Sequence, residues 1–138
     1  MGNPIVVEKI VTYIEEHLDE DLSLDKIAKD LNYSKFYMSR VFAEKTDYTI
    51  YKYIQGRRLT LSAQKLVETN KPIIEIAYEA HYNSPQAFTL AFHQVYLCNP
   101  QTYRKNGTFY PKQTKLNMKS SLFHISYRNF LSGGKIAA

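Results

Sequence analysis

The sequence is poor in the residues that several classes of protein require. It has a single cysteine, Cys98, so an internal disulfide is excluded and a reducing cytosol is favoured. We interpret Cys98 as a small packed residue and not as a nucleophile. The four histidines share no metal-ligand spacing with that cysteine, and no glycine-rich phosphate loop is present. No apolar run reaches the ~18 residues of a membrane span, and the first residues, MGNPIVVEK, lack a signal-peptide pattern. We therefore expect a cytoplasmic protein that is not an enzyme and has neither a cofactor nor a membrane partner.

Charge is distributed unevenly along the chain. Residues 1–30 hold three Lys or Arg against eight Asp or Glu, a net charge of −5. Residues 31–72 (eight against three) and residues 73–138 (seven against two) each carry +5, so the whole chain carries +5. Two basic blocks behind an acidic leader suit a polyanionic partner, although ordinary solvated charge gives the same pattern. Charge by itself leaves both interpretations open.

Capping residues and prolines mark seven helices and no convincing strand through residue 105. Each signal is a Ser, Thr or Asn cap, or a proline, placed before a run of apolar residues with helical spacing. Together they predict an all-α fold with helix starts at Asn3-Pro4, Ser23, Ser34, Thr49, Pro72, Ser84-Pro85 and Asn99-Pro100. Residues 106–138 are predicted to be a partly flexible appendage, in which alternation at Phe123, Ile125 and Tyr127 suits a short strand or a docking segment.

An internal repeat organises the helical part. IAKDLNYSKFYMSRVF (27–42) aligns with IAYEAHYNSPQAFTLAF (76–92), and the second copy carries one extra residue in its turn. Each copy has a small Ala where two helices cross, then a turn, a capping Ser and a second helix with an apolar face. This is the pattern of a helix-turn-helix. Asn32 and His81 stand where the turn needs a left-handed residue, which both residue types tolerate better than most.

The second helix of each copy presents an informative outer face. At ~100° per residue, the positions opposite the apolar stripe are Lys35, Phe36, Ser39 and Arg40 in the first copy, and Gln86, Thr89, Leu90 and His93 in the second. Arg, Gln, Ser and Thr pair with base edges in a major groove, and an exposed Phe contacts a thymine methyl. The repeated pattern therefore favours a double-stranded DNA reader over two hairpins with ordinary polar faces.

A long helix connects the two copies. Residues Ile50 to Glu68 give nineteen residues, or roughly 28 Å at 1.5 Å per residue, close to the ~34 Å between successive major-groove segments on one side of the duplex. A monomer is therefore expected to read an asymmetric site. The predicted organisation is a first helix-turn-helix subdomain (4–48), a connecting helix (49–69), a second helix-turn-helix subdomain (70–105) and a tail (106–138).

Residues 4–105 resemble the DNA-binding domain of the AraC/XylS family of bacterial transcription regulators. The motifs that carry the resemblance are SLDKIAKDLNYSKFYMSRVF, YIQGRRL followed by AQKLVETNKPIIEIAYEAHY, and SPQAFTLAFHQVYLCNPQTYR. The chain lacks a large effector domain, which makes it similar to the small stand-alone activators of the family. The resemblance implies two helix-turn-helix modules on one face of the duplex. It also implies contact with RNA polymerase, commonly at promoters of stress or antibiotic-resistance genes.

The resemblance assigns base reading to seven positions, which are Phe36, Ser39 and Arg40 in the first module and Gln86, Ala87, Thr89 and Leu90 in the second. Leu90 departs from the related activators, which have Arg there, and Pro85 replaces a polar residue. The second module is therefore expected to read its half-site more weakly or with an altered base preference. Asp47 and Cys98 stand where the family favours Gly.

Other expectations concern phosphate contacts and rival functions. The candidates for phosphate contact are Lys35, Lys45, Arg57, Arg58, His93, Gln94, Arg104 and Lys105, and Arg58 also matches a family Arg that bonds within the domain. One rival is a protein–protein adaptor that has lost its DNA contacts, for which Leu90 is the best argument. Another is an effector-sensing regulator whose tail binds a small molecule or a partner. The sequence does not favour a small-molecule effector but leaves that alternative open.

Overall fold

The computed structural model describes residues 3–117, and all seven predicted helices are present there. Within this range no strand occurs, which confirms the all-α prediction. The helices are α1 (Asn3–Glu16), α2 (Leu24–Leu31), α3 (Lys35–Thr46), α4 (Ile50–Glu68), α5 (Ile73–Glu79), α6 (Pro85–Tyr96) and α7 (Pro100–Asn106). The alternation predicted at residues 123–127 lies outside the described residues. No helix in residues 3–117 combines the length and the apolarity needed to cross a bilayer.

Side-chain caps explain where most helices begin. The side-chain oxygens of the predicted caps each accept a backbone N–H of the first turn at 2.8–3.1 Å. Such caps typically stabilise a helix by ~1 kcal/mol each, and here they are Ser23, Ser34, Thr49, Ser84 and Asn99. Pro72 differs from the prediction, because it occupies the cap position of α5 itself and makes no side-chain cap bond.

Two apolar clusters form the interior, and the connecting helix α4 contributes to both. The first cluster packs α1, α2 and α3 against Ile50, Tyr53 and Ile54 of α4. The second packs α5, α6 and α7 against Leu59, Ala63 and Leu66. The first turns of α4 therefore belong to one core, and its later turns belong to the other. Because α4 is anchored at both ends, it holds the two halves of the protein in a defined relation.

The first part of the tail packs on the protein and is not an appendage. After α7, Gly107 turns the chain with a positive φ of 72°, and residues 108–117 continue without helix or strand. Gln113 and Leu116 are both buried, and Leu116 belongs to the first apolar cluster although the chain has just left the second half. We call residues 107–117 the strap.

Candidate DNA-reading surface

The turns of the two helix-turn-helix units share a left-handed residue and the backbone hydrogen bond that follows it. Asn32 and His81 have φ values of 64° and 67°, in the left-handed region as predicted. The residue after each, Tyr33 or Tyr82, donates its backbone N–H to the carbonyl of the crossing alanine five residues earlier, at 3.0 and 3.1 Å. A capping Ser then starts the second helix in both copies. The repeat seen in the sequence is therefore a repeat of structure, and α3 and α6 are equivalent helices.

Helix α3 exposes the predicted side chains of the first unit. Met38, Val41 and Phe42 are buried, whereas Phe36 is 84% exposed and stands beside the exposed Arg40. Lys35 is exposed as well, and Ser39 is half-buried. An aromatic residue so fully exposed on a helix contributes nothing to the core. This placement is what a groove-reading helix needs.

The Arg40 guanidinium is held over the surface of its own helix. Its Cζ atom lies 5.6 Å from the centroid of the Tyr37 ring, and Nη1 lies 3.4 Å from Oε1 of Glu44. These residues stand three before and four after Arg40, the spacings at which helical side chains meet. Both partners were missed in the sequence, although that spacing could have identified them. Because the pair is exposed, it contributes only ~0.3–0.5 kcal/mol, which a base or phosphate can displace.

Helix α6 exposes a different set of side chains at equivalent positions. Gln86, Ala87 and His93 are exposed, and Thr89 is half-buried. Leu90, the counterpart of Arg40, is 64% exposed. Pro85 is the first residue of the helix, where a missing backbone N–H costs nothing. Since the outer faces of α3 and α6 differ in chemistry, the two units do not present the same probe.

Three arginines predicted as phosphate contacts are occupied inside the protein. Arg57 donates to both carboxylate oxygens of Glu15 and to the carbonyl of Gln113. Arg58 donates to the carbonyls of Leu18 and Glu20, and Arg104 to those of Leu66 and Lys71. A donor that is bonded to an internal acceptor is not free for a phosphate, which argues against these three arginines as phosphate contacts. Their role in the structure is to join α4 to α1 and to two non-helical segments, and to join α7 to α4 and to the loop before α5.

The remaining phosphate candidates lie on or near the surface. Lys35 pairs with the exposed Asp25 at 3.0 Å, and Lys45 is half-buried at the end of α3. The other three are exposed: His93, Gln94 and Lys105.

A groove lies beside α3. It has a volume of about 390 Å³ and is lined mainly by apolar side chains of α4 and of the segment before α2, with Ser39 and Ala43 of α3 along it. Tyr51, one of its lining residues, is largely exposed. Because Ser39 is also a predicted base-reading residue, the groove adjoins the reading surface.

Comparison with known proteins decides the family. A profile of the helix-turn-helix domain family matches residues 27–106. The regulatory protein SoxS of Salmonella typhimurium is 36% identical over 104 residues, which cover 75% of this chain and 97% of SoxS. The chain belongs to the AraC/XylS family. It is accordingly a DNA-binding transcription regulator and not an enzyme, as the sequence predicted.

Two further relatives of the AraC/XylS type agree with this. The TetD protein of transposon Tn10 from Escherichia coli is 39% identical over 101 residues, 73% of each chain. Among solved structures, the C-terminal domain of the response regulator AraT from Geobacillus stearothermophilus superposes with a TM-score of 0.70 and 28% identity. That match covers 79% of this chain and 90% of the AraT domain.

One departure from the family pattern was placed at the wrong residue. From the sequence, the second position where the family favours Gly was predicted to be Cys98. In the structure the left-handed residue that ends α6 is Leu97, with φ of 61°, and it corresponds to Asp47 at the end of α3, with φ of 62°. Cys98 packs partly buried against the second cluster, and burial raises the pKa of its thiol. Both observations fit a packing residue and not a nucleophile.

Proposed function

We propose that one protomer binds an asymmetric duplex site by inserting α3 and α6 into adjacent major-groove segments. The observation that carries the proposal is the pair of equivalent helices with unlike outer faces, both anchored to α4. A dimer of identical readers requires a palindromic site. A single chain with two different readers requires two different half-sites.

In this proposal each predicted base-reading side chain has a defined task. Arg40 leaves Glu44 to make a bidentate contact with a guanine, and Phe36 contacts a thymine methyl or the sugar. Ser39 hydrogen-bonds a neighbouring base edge. On α6, Gln86 and Thr89 supply the polar contacts. Ala87 and Leu90 supply apolar ones.

Replacement of Arg40 by Ala tests the base-reading role. Because a bidentate Arg–guanine contact contributes ~1–3 kcal/mol of discrimination, preference at one or two base pairs of the first half-site should fall by that amount. The measurement is competition binding by fluorescence anisotropy with single-base-pair variants of a selected duplex. Lys35→Ala is the matched control, since loss of a phosphate contact weakens all sequences alike. If Arg40→Ala also weakens all sequences equally, Arg40 is a phosphate contact and the assignment is wrong.

We propose further that the bound protein activates transcription through contact with RNA polymerase. The proposal rests on the similarity to the small activators of the family. The contact with polymerase requires the protein to be bound at its DNA site. Transcription in vitro with purified polymerase from a promoter that carries the selected site should rise several-fold when the protein is added. No rise at a site that the protein occupies would refute the activator role.

The exposed Leu90 favours one alternative, a protein–protein adaptor whose second module no longer reads DNA. Salt dependence separates the two functions. A protein that contacts phosphates loses affinity with a slope of about −0.9 per contact in a plot of log K against log salt. A flat dependence would favour the adaptor.

A further inference from the structure

The strap connects the two halves of the protein by a route separate from α4. At its start, the hydroxyl of Tyr96 in α6 donates to the carbonyl of Tyr110 at 2.8 Å, and the Tyr110 N–H donates to the hydroxyl of Tyr103 in α7 at the same distance. Phe109 packs against the second apolar cluster. These contacts fix the start of the strap to the second helix-turn-helix unit.

The middle of the strap is bonded to α4. Gln113 is fully buried, and its backbone N–H donates to Oγ1 of the buried Thr60 at 2.9 Å. The carbonyl of the same residue accepts from Nη1 of Arg57 at 2.7 Å, and Arg57 in turn pairs with Glu15 of α1. A buried backbone with both polar groups satisfied is expensive to displace, because each group would lose its partner.

The end of the strap is part of the first helix-turn-helix unit. Leu116 is buried in the first cluster, and its N–H donates to the Tyr53 hydroxyl at 3.2 Å. That hydroxyl donates to Oε2 of Glu15, and burial together with the nearby carboxylate raises the pKa of Tyr53, so that it stays a donor. In ten residues the chain therefore passes from one core to the other.

From this arrangement we propose that the strap sets the spacing of α3 and α6, and that Gln113 and Leu116 are positioning residues for two-site DNA binding. The inference rests on the proposed function, because spacing matters only if both helices enter the duplex. Another described contact between the halves, His81 with Asp21 at 3.1 Å, involves a fully exposed carboxylate and adds little rigidity. The strap joins the halves through buried groups. The tail segment 107–117 is thus part of the DNA-reading apparatus without touching DNA.

The test compares spacing tolerance in full-length variants. Thr60→Val removes the acceptor of the Gln113 N–H at nearly constant volume, and Leu116→Ala removes the apolar anchor. Ser62→Ala is the matched control on α4, since the Ser62 hydroxyl donates to the Arg58 carbonyl of its own helix and has no bond to the strap within residues 3–117. Each protein is titrated with a duplex recovered from a random pool, with the same duplex carrying one or two base pairs inserted between half-sites, and with isolated half-sites.

We expect both strap variants to bind the intact site ~10-fold more weakly, because loosening the link lowers the effective concentration of the second module at its half-site. Affinity for isolated half-sites should stay within about twofold of the unmodified protein. An insertion of two base pairs rotates one half-site by ~70° about the duplex, and it should penalise the strap variants less than the unmodified protein. Ser62→Ala should behave as the unmodified protein.

The inference is overturned if Thr60→Val and Leu116→Ala bind the intact and the lengthened sites as the unmodified protein does. It is also overturned if they lose half-site affinity in the same proportion, since the strap would then act on module stability and not on spacing. A readout without DNA distinguishes this failure from failure of the proposed function. Spin labels attached to cysteines introduced at Ala43 of α3 and His93 of α6, in a Cys98→Ser background, report the distance between the two helices. The distribution of this distance should be broader in the strap variants than in the protein without them.

Discussion

The buried pair between Glu15 and Arg57 offers a stringent prediction about how the two halves are held. The Glu15 carboxylate accepts two hydrogen bonds from Arg57 at 2.8 Å and one from the Tyr53 hydroxyl at 3.1 Å. The two charged side chains are only 16% and 12% exposed. Burial alone would lower the pKa of Arg57, but the bonds and the charge of Glu15 outweigh it and the pKa lies above its usual value.

Replacement of Glu15 by Gln keeps the shape of the side chain and removes the charge. Loss of one partner from a buried pair costs ~3–5 kcal/mol. Because both groups keep some exposure and Arg57 keeps its bond to the strap, we expect the lower end, about 3 kcal/mol of unfolding free energy. With an m-value of ~2 kcal/mol/M, this moves the urea midpoint down by about 1.5 M.

The measurement is equilibrium unfolding in urea followed by circular dichroism. Lys26→Gln is the control, since Lys26 lies 4.0 Å from Asp30 and both side chains are more than 40% exposed. Its cost should be at most ~1 kcal/mol. A loss below ~1 kcal/mol for Glu15→Gln would mean that the pair is solvated. The structural role given to Arg57 would then be refuted.

Three further predictions concern the phosphate contacts, the second reading helix and the ion pairs of Glu79. Lys35→Ala should reduce the slope of log K against log salt for DNA binding by about 0.9, because one phosphate contact is lost. Arg58→Ala should leave that slope unchanged, because Arg58 is bonded to two carbonyls within the protein. Equal effects of the two substitutions would contradict these different roles. Leu90→Arg should add ~1–3 kcal/mol of base discrimination in the second half-site, and no change there would mean that α6 is not seated in a groove. Hydrogen bonds from two lysines lower the pKa of Glu79, so the unfolding free energy that Glu79 contributes is present above pH ~4.5 and is lost on acidification. In Glu79→Gln the unfolding free energy, measured as a function of pH, should therefore fall less on acidification than in the unmodified protein, by at most ~1 kcal/mol.

Local chemistry explains how much of the fold could be predicted. A capping Ser or Asn, a proline and an apolar stripe are each contained within about one or two helical turns. All seven helices could therefore be located, and the outer faces of α3 and α6 followed from angular position. At the end of α6 the prediction was wrong by one residue and named Cys98 in place of Leu97. The left-handed residue that ends this helix is set by the path of the backbone and not by the side-chain type.

Contacts distant in sequence could not be predicted in this way. The carbonyls that hold Arg58 lie about forty residues earlier, and a backbone carbonyl has no signature in the sequence. Three arginines were therefore predicted as phosphate contacts because exposed and internally bonded arginines look alike in a basic segment. The strap was missed for the same reason, since its polar composition is typical of a loop and Gln113 is buried only because Thr60 and Arg57 meet its backbone.

Selection of bound duplexes from a random pool shows whether one protomer places two unlike helices in neighbouring major-groove segments. We expect two dissimilar clusters of preferred base pairs, with centres about 10–10.5 base pairs apart, and one protein per duplex. A palindromic site, or a single cluster of preferred base pairs, would refute this mode of binding.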